Sequence, residues 1–127
     1  MKLRLAVADD NADFLSEIIS VLETEFDVVV TARNGKSALE SIRSCSPDVV
    51  VLDVEMPGLN GIEVTRELSK YAARPAVVIC SVESDPDIIE AAREAGALGY
   101  VFKARIRKDL IVAVKSVARG QSFVSPE

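Results

Sequence analysis

A few side chains in this sequence are spaced so that they could do chemistry together: the acidic pair Asp9-Asp10, Asp53, Ser81 and Lys103. Each closes a short apolar run. Leu3 to Ala8 runs into Asp9, and Val49 to Leu52 into Asp53. Ala76 to Cys80 runs into Ser81, and Gly99 to Phe102 into Lys103. Several carboxylates at one place repel one another unless a cation meets them, and a buried carboxylate without a partner is costly. A hard divalent cation held through oxygen ligands resolves the repulsion, and Mg2+ suits a site with few protein ligands. Lys103 would add a compact positive charge, and Ser81 a hydroxyl donor. A cation, an ammonium and a hydroxyl around one carboxylate suit the oxygens of a transferring phosphoryl group. Asp53 would then be the attacking nucleophile, giving an acyl phosphate.

That chemistry requires elements which bring the four run ends together. Val49-Val50-Val51-Leu52 is an unbroken apolar run stopped by the turn signal Pro57-Gly58, which reads as a strand buried on both faces. Leu3 to Ala8 is a first strand. Asn11 can cap a helix whose stripe is Phe14, Leu15, Ile18, Ile19 and Leu22. A valine-rich second strand, Phe26 to Ala32, precedes a helix opened by Asn34-Gly35 and stopped at Pro47. After the third strand, Asn60-Gly61 begins a helix over about Ile62 to Tyr71. Ala76 to Cys80 is the fourth strand. Ser84 or Asp85 then caps a helix that has Pro86 in its first turn and Gly96 at its end. Gly99 to Phe102 is the fifth strand, and the last helix buries Leu110, Ile111, Val114 and Val117 and ends at Gly120. Strict alternation of strand and helix with short connections predicts an α/β, doubly wound parallel sheet with right-handed crossovers. In such a sheet the carboxyl ends of all strands share one edge, where open α/β folds place their ligands.

Composition narrows the classes. At 127 residues, 49% hydrophobic and 28% charged, the chain is one ordinary globular domain. It holds no histidine, so no imidazole can act as base, nucleophile or metal ligand. A net charge of −5 disfavours non-specific binding to a polyanion. Cys45 and Cys80 stand in no CxxC or zinc spacing and read as buried free thiols. Met1-Lys2-Leu3-Arg4 enters a strand without a leader pattern, and no apolar run approaches a membrane span. The expectation is a cytoplasmic protein.

The chain resembles the receiver domain of two-component response regulators over essentially its whole length. The resemblance rests on Asp9-Asp10, on Asp53 before Val-Glu-Met-Pro-Gly, on Ser81 ending the fourth strand, and on Tyr100-Val-Phe-Lys103. Each piece alone has a plainer reading. Asp9-Asp10 suits a helix cap, Ser81 a turn, Lys103 a solvated surface and Tyr100 strand packing. Independent structural needs would seldom put all of them at strand ends on one edge. The resemblance implies a flavodoxin-like (βα)5 fold with strand order 2-1-3-4-5. It implies phosphorylation of Asp53 from the phosphohistidine of a sensor histidine kinase. Mg2+ would be held by Asp10, Asp53 and the backbone carbonyl of Glu55, with Asp9 acting partly through water. Lys103 would pair with the phosphoryl group, Ser81 would swing to hydrogen-bond it, and Tyr100 would turn inward behind Ser81. The domain would be a phosphoacceptor with modest self-phosphotransfer and autodephosphorylation, not an enzyme in its own right.

Several positions depart from the commonest pattern. Glu55 and Glu83 add negative charge at the mouth of the site, Val82 stands where alanine or glycine is usual, and Ala104 replaces a frequent proline. The last stretch resembles the junction of NarL/LuxR-type regulators. Residues 1–120 are therefore expected to be the receiver domain and 121–127 the start of a linker to a C-terminal DNA-binding domain, with Ser125-Pro126 able to open another helix. The partners implied are the kinase, a second copy of the chain on phosphorylation, and DNA only through that further domain; no membrane is implied. Three other classes fit the residues less well. A pseudo-receiver used as a protein-binding scaffold would not need the intact set Asp10, Asp53, Ser81 and Lys103. A flavodoxin-type electron carrier would find the acidic loop Asp9-Asp10-Asn11-Ala12-Asp13 repelling a flavin phosphate. An aspartyl phosphatase would carry an Asp-x-Asp motif on its first strand, which this chain lacks.

Overall fold

The computed structural model describes residues 2–126; Met1 and Glu127, which the sequence reading included at the two ends, lie outside the described residues. Strands and helices alternate as the apolar pattern requires. β1 (Arg4–Ala8), β2 (Asp27–Ala32), β3 (Val49–Leu52), β4 (Ala76–Ser81) and β5 (Gly99–Phe102) are separated by α1 (Ala12–Leu22), α2 (Gly35–Cys45), α3 (Gly61–Leu68) and α4 (Pro86–Ala95). A 3-10 turn (Lys103–Arg105) leads into α5 (Ile106–Ala118), and a two-residue strand β6 (Phe123–Val124) follows. The sheet is parallel throughout, in the order β2-β1-β3-β4-β5-β6. The expected order 2-1-3-4-5 is present, extended by a sixth strand at the β5 edge.

Side-chain alternation along the central strands divides the core into two layers. Val50 and Leu52 face a cluster with Ala38, Leu39 and Ile42 of α2, Val64 and Leu68 of α3 and Ala92 of α4. Val49 and Val51 face the other way, against Ile18 and Leu22 of α1 and Leu110, Val114 and Val117 of α5. Val49 to Leu52 are each 0% exposed, so β3 is covered on both faces, as its unbroken apolar run predicted.

The helix starts follow local chemistry. Asn11, Asn34 and Asn60 each accept the backbone N–H three residues on, and Asn60 forms a reciprocal capping box with Glu63. Asp85, not Ser84, caps α4. Gly61 has a packing reason: a Cβ there would stand 2.0 Å from the carbonyl oxygen of Asp53, so only glycine lets α3 begin against the end of β3. The third helix was expected to reach Tyr71 but ends at Leu68. Ser69 caps it, its hydroxyl donates to the Arg66 carbonyl, and the Tyr71 amide turns back to Leu68.

The stretch after Gly120 is docked on the domain. The Phe123 amide donates to the Leu98 carbonyl and the Ser125 amide to the Tyr100 carbonyl, at 3.0 and 2.9 Å. Ser125, expected to cap a further helix, is buried instead. Its Oγ donates to Asp109 Oδ2 at 2.7 Å and accepts from the Phe102 amide at 3.1 Å. Arg105 Nε holds the same Asp109 oxygen at 2.6 Å. Cys80 is buried as expected, whereas Cys45 is only half-buried; both are free. No cis peptide bond occurs among the described residues, in keeping with Ala104 after Lys103.

Candidate functional site

Neighbouring parallel strands deliver their last residues side by side. β1 lies beside β3, and the ladder continues one residue past each: the Asp53 amide donates to the Ala8 carbonyl at 3.0 Å, and the Asp9 amide to the Ala32 carbonyl at 3.1 Å. Asp9 and Asp53 are thus fixed by backbone bonds before their side chains contact anything. Both are buried. Lys103 arrives from the far side of β4, where β5 turns into the 3-10 turn, and its long stem reaches across.

The ammonium sits between the two carboxylates. Lys103 Nζ is 2.8 Å from Asp9 Oδ2 and 3.1 Å from Asp53 Oδ2. The second contact is an aligned hydrogen bond. The first is an ion pair off that direction, which leaves Asp9 Oδ2 buried with no hydrogen-bond donor aimed at it. Asp9 Oδ1 accepts the Asn11 amide at 2.9 Å. The ring centroid of Phe14 lies 4.1 Å from Nζ.

Asp10 is exposed, and its backbone carbonyl accepts Arg33 Nη2 at 2.9 Å. One carboxylate oxygen from each of Asp9, Asp10 and Asp53 can be chosen so that all lie within 4.8 Å of one another. Three carboxylates against one ammonium leave an excess of negative charge, which a further cation would balance. All-oxygen donors of this kind fit a hard divalent ion. The Glu55 side chain is exposed and stands apart from this group.

The electrostatics agree. Burial first, and then the charge of Asp9, raise the Asp53 carboxyl to about 6, a net rise that Lys103 and the Glu55 backbone amide only partly offset. Burial alone would depress the Lys103 ammonium, but Asp9 and Asp53 outweigh it and hold it above its ordinary range. Cys80, beneath the site, is pushed up to about 12 by burial and stays a thiol.

Ser81 and Tyr100 meet through Glu83, whose side chain the sequence marks only as a charge at the mouth of the site. The Glu83 amide donates to Ser81 Oγ at 3.1 Å, and the Tyr100 hydroxyl donates to the Glu83 carbonyl at 2.8 Å. Tyr100 is 2% exposed, already turned inward, with its ring edge-on to Phe102. Val82 projects into solvent, 62% exposed. The structure therefore gathers Asp9, Asp10, Asp53 and Lys103, places Ser81 and Tyr100 on one backbone bridge, and leaves the Glu55 side chain outside. Sequence reasoning missed two features. The Glu83 bridge is made of backbone atoms and carries no residue signature. Phe14 belongs to the apolar stripe of α1 and so reads as core; its place in the first turn after the Asn11 cap is the available signal.

A family model described as the response regulator receiver domain matches residues 5–115. The transcriptional regulatory protein DegU of Brevibacillus brevis is 33% identical over 128 residues, which cover 99% of this chain and 54% of that protein. The signal receiver domain of the response regulator NarL from Mycobacterium tuberculosis superposes with a TM-score of 0.90 at 33% identity, covering 94% of this chain and 98% of that one. A LuxR-family two-component response regulator from Aurantimonas sp. SI85-9A1 gives a TM-score of 0.93 at 28% identity, covering 99% and 91%. The chain spans about half the length of the DegU relative.

Proposed function

This chain belongs to the response regulator receiver domains of the NarL/LuxR type, and on that premise we propose that Asp53 is its phosphoacceptor. The observation that carries the reading is Asp53 Oδ2 held 3.1 Å from Lys103 Nζ at the edge of the Asp9, Asp10 and Asp53 cluster. An Asp53 oxygen attacks the phosphorus of a phosphohistidine on a sensor kinase. The new O–P bond forms as the N–P bond breaks. The electron pair stays on the imidazole nitrogen, which takes a proton from solvent. Asp9, Asp10, Asp53 and the backbone carbonyl of Glu55 would hold Mg2+, which when bound offsets charge on the phosphoryl oxygens. Lys103 neutralises charge that builds on the transferred group. Ser81 Oγ accepts the Glu83 amide, so its own O–H is free to donate to a phosphoryl oxygen.

Drawing Ser81 and Lys103 toward a new dianionic group strains the Ser81–Glu83–Tyr100 bridge, which is a route from the site to β5 and its neighbours. The output proposed is transcription, as the names of the DegU and NarL relatives suggest, with DNA contacted by a further segment; a net charge of −5 disfavours DNA binding by these 127 residues themselves. The partners proposed are a sensor histidine kinase and, after phosphorylation, a second copy of the chain. The place of action is the cytoplasm. No helix is long and apolar enough to cross a membrane among the described residues.

Intact mass spectrometry after treatment with a small phosphodonor and Mg2+ tests the reading. One added phosphoryl group is expected, lost in Asp53→Asn and in excess chelator. Labelling that persists in Asp53→Asn would refute the assignment.

A further inference from the structure

We propose that Phe14 is a positioning residue for the Lys103 ammonium, acting through its ring face in phosphoryl transfer to Asp53; the inference rests on the phosphoacceptor reading above. Lysine ends in a point charge on a flexible four-carbon stem, so nothing in its own geometry fixes the ammonium. Two carboxylates attract Nζ, Asp9 at 2.8 Å and Asp53 at 3.1 Å. With those two alone for neighbours, Nζ could turn a free donor to water. Phe14 is a third neighbour: its ring centroid is 4.1 Å from Nζ, well inside the range in which an ammonium is attracted to an aromatic face. Lys103 is consequently 7% exposed although β5 has already ended.

The ring is itself located by the site. The Phe14 amide donates to Asn11 Oδ1 at 3.0 Å, and the Asn11 amide donates to Asp9 Oδ1 at 2.9 Å. One short segment therefore orients a carboxylate that pairs with Lys103 and the ring that covers it. During transfer the ammonium must leave Asp53 Oδ2 for an oxygen of the incoming group. A ring face is the one partner that does not compete with this, since it attracts the charge without accepting a directed hydrogen bond.

Packing is the rival role, because Phe14 also lies against the α1 and α5 side of the core with Leu15 and Ile111. Two measurements separate the roles. In the unmodified protein, the Lys103 ε-methylene protons should be shifted upfield by the ring. The shift should vanish in Phe14→Leu and persist in Phe14→Tyr; its absence from the wild type would overturn the cradle. Phe14 is then replaced by 4-fluoro-, 3,5-difluoro- and 3,4,5-trifluorophenylalanine, which keep its shape and drain charge from the ring face. Labelling of Asp53 by phosphoramidate with Mg2+ should slow progressively, by on the order of 10-fold across the series, at an unchanged melting temperature. Rates that stay level along the series overturn the inference alone. A wild-type chain that takes no label overturns the phosphoacceptor reading and the inference with it.

Discussion

Asp53 is a carboxylate held where ionising it is costly. Its burial and the nearby charge of Asp9 raise the folded-state value to about 6, from 3.8 for the free side chain. The sign of the linkage follows. A raised folded value means that the folded state binds more protons than the unfolded state between those two values. The contribution to stability is full below about 3.8 and is lost as pH rises through about 6. Asp53→Asn does not titrate, so in metal-free solution it should be more stable than wild type at pH 7, by about 1–3 kcal/mol. The gap should close as pH falls from 6 toward 4. Urea unfolding in chelator at several pH values measures it. A variant less stable than wild type at pH 7 would show that Lys103 stabilises the ionised Asp53 more than burial penalises it. The same unfavourable charge is what a bound cation would relieve, so Mg2+ should stabilise wild type more than the variant.

At the scale of the element, β6 shows how two residues become a strand. Phe123 and Val124 are too few to make an alternating pattern, and Gly120-Gln121-Ser122 before them reads as a polar exit. The strand exists because Ser125 anchors it, with its hydroxyl between Asp109 Oδ2 and the Phe102 amide and its own amide on Tyr100. Burial of Asp109 is acceptable because Arg105 and Ser125 both donate to it, and the Arg105 bond above all holds its carboxyl below the usual range. Ser125→Ala removes that hydroxyl and leaves the Phe102 amide without its partner. It should cost about 1–3 kcal/mol in urea unfolding. A loss under about 0.5 kcal/mol, the size of an ordinary surface substitution, would mean that β6 is only lightly held. The other strands were legible because their signals are long or unmistakable. Val49 to Leu52 runs unbroken into a carboxylate, and Asn34-Gly35 and Asn60-Gly61 mark helix starts that the structure shows. The end of α3 was not legible, since Lys70 and Tyr71 continue the helical pattern while the chain has already turned at Ser69.

For the whole molecule, a parallel sheet converts separate sequence signals into one site. Asp9, Asp53, Ser81 and Lys103 are far apart in the chain, and only the shared carboxyl edge of β1, β3, β4 and β5 brings them together. That convergence was readable from alternation alone. The order of the strands was not, and came from the resemblance carried by the acidic pair, Asp53 with its Met-Pro-Gly turn, and Tyr100 to Lys103. What stayed hidden was made of backbone, as in the Glu83 bridge, or of an apolar side chain doing two things, as in Phe14. The proposed chemistry is a phosphoryl group carried as an acyl phosphate on Asp53. Reductive trapping is its most direct test. Borohydride converts an aspartyl phosphate to homoserine, which peptide mass spectrometry locates in the sequence. After treatment with phosphoramidate and Mg2+, homoserine should appear at position 53 and nowhere else in the chain. Homoserine at Asp9, Asp10 or any other acidic residue, or label that resists borohydride, would contradict the account.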